Sequence, residues 1–207
     1  MNSNPTKFWD GLAERYAKSP VKNEEAYQHK LEITREYLDP NTNVFEFGCG
    51  TGSTSIAHAP YVNHILAIDI SAKMLKIAEE KALAANIDNI DFKQADISEM
   101  PVPETLFDVV MGHSILHLVK DREEVIQKAR GLLKPGGIFI TSTACLGDTS
   151  KLLKYVLSFA HFLGLVPLVQ VFTKEELAKS IKDSGFNIVY QWRPKKGEAE
   201  FIVAERV

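Results

Sequence analysis

Val44-Phe45-Glu46-Phe47-Gly48-Cys49-Gly50-Thr51-Gly52 decides how the rest of the chain is read. Its first half is short, apolar and rich in β-forming residues. Its second half has a glycine at every other position. A buried strand running into a tight turn and then a helix has this pattern. Glycine permits left-handed backbone angles and lets a ligand press against the main chain. A helix opening near Ser53 turns its free N–H groups toward whatever the turn holds.

Spacing narrows the ligand. A dinucleotide fingerprint, Gly-x-Gly-x-x-Gly, needs glycine where Ser53 stands, and a phosphate loop needs a Gly-Lys-Ser/Thr that is missing here. The next apolar run, His64-Ile65-Leu66-Ala67-Ile68-Asp69, ends on an acid 21 residues after Gly48. That is close to the roughly 20-residue offset of a carboxylate that grips ribose hydroxyls. The spacing predicts a site for a nucleoside with a ribose diol and no pyrophosphate, which disfavours NAD.

Four segments in order resemble the class I S-adenosylmethionine-dependent methyltransferases. Glu46-Phe47-Gly48-Cys49-Gly50-Thr51-Gly52 resembles the family's first motif, and Asp69 its ribose acid. Gln94-Ala95-Asp96-Ile97 is similar to the segment whose acid meets the adenine amino group, and Leu132-Leu133-Lys134-Pro135-Gly136-Gly137 to the turn before the fifth strand. The resemblance covers about Val44 to Thr143; outside it only the general plan is shared. It implies S-adenosyl-L-methionine as cofactor, with S-adenosyl-L-homocysteine as product. Gly48, Gly50 and Gly52 would allow the close backbone approach, Cys49 would join Gly48 and Gly50 in binding the cofactor, and Asp69 would accept from both ribose hydroxyls. Asp96 with Ile97 would bracket the adenine, with Ile70 and Met74 on its face. Glu46 would order water or backbone near the methionine ammonium. Each has a plainer reading: a small side chain in the turn for Cys49, a structural carboxylate for Glu46, a turn residue for Asp96 and helix core for Met74.

A length of 207 residues suits one domain over 1–207 with a sizeable core. The net charge of −3 gives no electrostatic case for nucleic acid, and the Asn-Pro-Pro-Tyr type signature of base methylation is missing. Two cysteines are too few for a disulfide framework, and no metal site is expected. Met1 to Pro5 lacks a charged-then-apolar signal pattern, so the cytoplasm is the expectation.

Apolar residues at helical spacing predict helices over residues 6–38, broken at Pro20. The resemblance makes residues 1–40 a helical cap over the cofactor, from which Tyr16 would reach its methionine end; alternatively Tyr16, Phe8 and Trp9 only pack the cap. A helix after Gly52 stops before Pro60. Ser71 caps a helix that carries Met74, Leu75, Ala78, Ala82 and Leu83 on one face and stops near Asn86. Ile90 to Gln94 is an edge-type strand, Phe107 to Gly112 a fourth and Ile138 to Thr143 a fifth. Asp121 with Glu124, and Thr173 with Glu176, read as capping boxes. Strands alternating with helices predict an α/β fold with a doubly wound, mostly parallel sheet. The resemblance implies seven strands, the last in an antiparallel C-terminal hairpin formed from Phe186–Trp192 and Glu200–Glu205, plus helical cap elements.

Tyr155 to Thr173 contains no Asp, Glu, Lys or Arg, which reaches the length of a membrane span. Pro167, Gly164 and His161 interrupt it, and the flanking strands must meet in one sheet. Residues 145–172 are therefore read as a helical insertion: a lid for an apolar or aromatic substrate, a buried helix or dimer seam, or a peripheral membrane contact. The chain is expected to be a monomer or homodimer.

Methyl transfer from a sulfonium is an in-line displacement that rests mostly on positioning. The acceptor belongs past the fourth strand, at Gly112-His113-Ser114-Ile115-Leu116-His117. His113 and His117 are the candidate general bases, each expected to titrate near neutral pH; the plainer reading has His113 bonding the cofactor and His117 packing. These readings predict a methyltransferase acting on a small apolar or aromatic molecule. The alternatives are a lipid or quinone methyltransferase at the membrane surface, and a non-catalytic cofactor-binding module.

Overall fold

The computed structural model describes residues 4–101, 103–149, 156, 157, 160 and 166–207. Seven strands form one sheet: β1 (Asn43–Phe47), β2 (His64–Asp69), β3 (Ile90–Gln94), β4 (Phe107–His113), β5 (Leu133–Thr143), β6 (Phe186–Trp192) and β7 (Glu200–Arg206). Their order is β3-β2-β1-β4-β5-β7-β6. The first five are parallel, and β7 lies antiparallel between β5 and β6. Between β1 and β4 the winding reverses direction, and ligands of such sheets bind beyond the strand carboxyl ends at this switch point.

Alternation along the strands sends side chains to two cores. Phe45, Phe47, Val110, Phe139 and Ile202 pack on one face against α5 (Arg122–Leu132) and α6 (Lys174–Asp183). Val44, Val109, Met111, Ile140 and Phe201 pack on the other, which lies beneath α2 (Glu24–Arg35), α3 (Ser53–His58) and α4 (Ala72–Ala84). The first helix, α1 (Pro5–Ala17), lies against α4. The expected caps are present: Ser71 accepts from Met74 N, and Asn86 takes a left-handed φ of 54° at the far end of α4. Thr173 with Glu176 makes both bonds of a capping box, and Asp121 accepts from Glu124 N.

Several expectations are corrected. Leu83 does not share the buried face of α4; it is exposed, because that face is filled by Met74, Leu75, Ala78 and Ala82. Pro135-Gly136-Gly137 is not a turn before the fifth strand. The strand begins at Leu133 and runs through those residues as a bulge, pairing Phe107 with Leu133 and then Val109 with Ile138. His117 lies in a turn beyond β4. The apolar run Tyr155–Thr173 and the insertion over 145–172 fall largely outside the described residues. Among the described residues, no helix is long and apolar enough to cross a membrane.

Gly112 shows how tightly the strand centre is packed. A Cβ added there would lie 2.2 Å from the Phe47 ring. Gly112→Ala is expected to cost about 2 kcal/mol by overpacking, read as a lower urea midpoint at unchanged slope.

Candidate functional site

The glycine turn sits at the carboxyl end of β1. Gly48, Gly50 and Gly52 have φ of 64°, 55° and 72°. Two of them serve packing: a Cβ on Gly48 would meet Ile115 at 2.8 Å, and one on Gly52 would meet Ala78 at 2.8 Å. Gly50 differs. Among the described residues, the only atom within 4 Å of its Cβ position belongs to the Tyr16 ring, at 3.9 Å, so the main chain is uncrowded there. The Cys49 side chain points the other way, into the core, leaving only its backbone in the turn.

Asp69 ties the turn to the next strand. Its Oδ2 accepts from Gly50 N and its Oδ1 from Ser71 N, each at 2.9 Å. A carboxylate offers about four acceptor positions, so these two bonds do not exhaust it. Burial holds the Asp69 pKa above its ordinary value, against the pull of these N–H bonds. Ser71 Oγ in turn donates to Asp10 of α1 at 2.6 Å, which fixes the N-terminal cap over this loop. Tyr16, half exposed, projects from that cap toward Asp69 and Glu46; burial raises its phenol pKa, and the two carboxylates add to the effect.

Glu46 is buried at 2 % exposure and accepts from Ser55 Oγ of α3. Burial pushes its pKa up to about 7, and the Asp69 charge adds to the rise. The carboxyl is therefore divided between neutral and ionised forms at neutral pH. Near it stands Tyr27 of α2, whose phenol pKa is raised by burial and by the Glu46 charge.

The expected adenine residues are only partly displayed. Asp96 is exposed, and its Oδ1 accepts from Ser98 N at 2.9 Å and Ser98 Oγ at 2.8 Å. The side chains of Ile97 and Met74 are buried in the cores at 5 % and 2 % exposure. Half-buried Ile70 is left as the apolar surface beside the site, its carbonyl held by Gln94 Nε2.

His113 ends β4, its ring stacked on Phe201 with centroids 6.5 Å apart. Its Nε2, and Nδ1 of His117, are buried without a hydrogen-bond partner among the described residues. Burial pushes the His113 pKa down to about 3, with His58 and Lys30 adding to the fall, and that of His117 down to about 4. Neither histidine titrates near neutral pH, contrary to the sequence expectation; both are neutral rings there. Ser114, just beyond, holds a left-handed φ of 55° and donates to Ser142 O at 2.7 Å. Such strain in a non-glycine residue is concentrated at functional sites.

Sequence reasoning passed over Ser55, His58, Tyr27, Ser114 and Lys30. Each lies on a helix face or in a turn where its residue type is ordinary. Only the fold brings them to the rim. A cavity of about 550 Å³ lies apart from this rim, between α5 and α6, with Arg122, Phe172 and Ser180 in its lining.

Residues 38–201 match the family model described as a methyltransferase domain. The chain belongs to the class I S-adenosylmethionine-dependent methyltransferase family. The chain is 34% identical over 117 residues to the demethylmenaquinone methyltransferase of Listeria monocytogenes, an alignment covering 55% of this chain and 47% of that one. The chain thus spans about half the length of the curated relatives it matches. Among solved structures, the [4+2]-cyclase SpnF superposes with a TM-score of 0.79 at 14% identity, covering 100% of this chain and 96% of that one. A complex of DhpI with S-adenosylhomocysteine gives 0.74 at 18% identity, covering 97% and 94%. At such identities the two structures speak for the fold alone.

Two outcomes follow for this chain. Gly50→Ala gains a Cβ with room around it, so only the left-handed φ is charged against folding, about 1 kcal/mol. The Cβ nevertheless occupies the space above the main chain, and calorimetry is expected to show S-adenosylhomocysteine affinity reduced about tenfold or more. Separately, His58 is fully buried, and burial pushes its pKa down to about 4 from an ordinary value of 6.5. Between those values the unfolded chain binds a proton that the folded chain does not. Stability from this group is therefore present above pH 6.5 and lost as pH falls toward 4, by about 3 kcal/mol. Urea midpoints of His58→Leu are expected to fall less steeply over that window than those of the unaltered protein.

Proposed function

We propose that this chain transfers the methyl group of S-adenosylmethionine, by in-line displacement, to a small apolar or aromatic molecule, leaving S-adenosylhomocysteine. The observation that carries this reading is the hydrogen-bonded unit of Gly50 and Asp69. Open main chain for the cofactor and a carboxylate for its ribose belong to one turn, under the tyrosine of the cap. The sulfonium leaving group needs no activation, so placement of the acceptor beyond β4 supplies most of the rate. Neutral His113 and His117 suit hydrogen bonding to ligand better than proton removal. Asp96 and Ile70 are the proposed neighbours of the adenine, with Ile97 and Met74 supporting them from the core.

A second reading is methylation of a quinone or lipid at a membrane surface. The name of the Listeria relative and the charge-free run of 155–173 favour it. The cyclase on this fold is the reason to measure transfer as well as binding.

The test has two readouts. S-adenosylhomocysteine is expected to raise the melting temperature of the purified protein and NADH to leave it unchanged. Asp69→Ala is expected to lower the affinity for S-adenosylhomocysteine roughly 10- to 100-fold, the loss of a charged hydrogen-bond acceptor. Labelled methyl from S-adenosylmethionine should then enter the small-molecule or the quinone fraction of a cell extract, which separates the two readings. Stabilisation without any label transfer would leave a binding module.

A further inference from the structure

On the sheet face covered by α2 and α3, the outermost side chains at the acceptor end belong to His113 on β4 and Ser142 on β5. The two residues are register partners, so their side chains stand side by side, about 5 Å apart at the backbone. Phe201 continues the row on β7 as the register partner of Ser142. Lys30 reaches down from α2 onto this row and donates from Nζ to Ser142 Oγ at 2.8 Å.

Lys30 is poorly provided for. It is only partly exposed, and among the described residues it has no ion pair within bonding distance. The carboxylate that acts on it is that of Glu198, already engaged with Asn23 Nδ2 at 2.9 Å and facing Lys195. An ammonium has three donors, and one is spent on a neutral hydroxyl. Its neighbour His113 is neutral at physiological pH. Burial lowers the Lys30 pKa, the mark of a cation short of compensation. Beside it stands an aromatic wall: His29 of α2 lies 4.4 Å from Trp192 and hydrogen-bonds the Tyr190 hydroxyl at 2.9 Å.

We infer that Lys30 is a specificity-determining residue of the acceptor site, and that the acceptor is an aromatic or conjugated molecule bound through an ionised oxygen, a phenolate or enolate, on the Lys30 ammonium. The inference rests on the proposed methyl transfer and names its substrate class. It also answers the question left by histidines that are too weakly basic to take the proton. The acceptor gives its proton to solvent on binding, because the ammonium favours the oxyanion. The lone pair of the oxyanion, or of its conjugated carbon, then forms the new bond to the methyl carbon. The carbon–sulfur bond breaks, and its electron pair stays on sulfur as the neutral thioether. Substrate anion and cofactor cation are both discharged, and no further reactant is needed.

4-Nitrophenol is the probe, because its phenolate absorbs visible light and the phenol does not. With the protein saturated by S-adenosylhomocysteine at pH 7, binding is expected to increase the phenolate band. Lys30→Met keeps the apolar stem and is expected to abolish that increase and weaken phenolate binding about tenfold or more. Lys30→Arg is expected to restore most of both. Affinity for S-adenosylhomocysteine and the circular dichroism spectrum should be unchanged in both variants. Equal phenolate binding by Lys30→Met, or none by the unaltered protein, overturns the inference. So does a loss confined to S-adenosylhomocysteine affinity, which would assign Lys30 to the cofactor carboxylate. Failure of the unaltered protein to bind S-adenosylhomocysteine at all would instead sink the methyltransferase reading beneath it.

Discussion

The rim of this molecule depends on one carboxylate. Asp69 receives N–H groups from Gly50 on one side and Ser71 on the other, and so stitches the turn after β1 to the loop after β2. A left-handed turn has its amide groups converging on one point, and an anion placed there satisfies them. The same serine that donates to Asp69 through its backbone caps α4 and holds Asp10 of the N-terminal cap through its hydroxyl. Strand, turn, helix and cap are therefore registered to one another through two neighbouring residues. Any hydroxyl donor arriving at this point meets a carboxylate already oriented and does not have to order it.

The second organising feature is a file of polar side chains beneath the rim. Glu46, Ser55, His58 and His113 all lie on the face shared by α2 and α3, and three of the four have pKa values moved by burial toward the neutral form. A low-dielectric interior penalises charge of either sign, so an acid and two bases can sit near one another without an ion pair. The consequence for chemistry is that the site is electrically quiet except at its edges. Charge is concentrated on Asp69 at one end and on Lys30 at the other.

The sequence made the backbone plan readable and left the side-chain company unread. Val44 to Gly52 and the acid at Asp69 were legible because strand periodicity and glycine spacing are local signals. The edge position of β3, the left-handed Asn86 and the capping box at Thr173 were legible for the same reason. Pro135-Gly136-Gly137 misled because those residues suit a turn as well as a bulge, and only pairing with β4 decides between them. Met74 and Ile97 were placed on the adenine from their position in the motif, whereas their burial depends on which face the helix turns to the sheet. The histidines were read with solution pKa values, and it is tertiary burial that moves them. Lys30 carried no signal: a lysine on an amphipathic helix is unremarkable until the strand beneath it is known.

The placement of β7 has a consequence for how the chain is made. β7 lies between β5 and β6, bonded antiparallel to both, although it follows them in sequence. While residues 200–206 are still unsynthesised, β5 presents an unpaired row of amides and carbonyls and β6 has no neighbour at all. An open strand edge of that kind invites pairing with foreign chains. The first five strands can pair as they emerge, whereas the facing edges of β5 and β6 stay open until β7 threads into the gap between them.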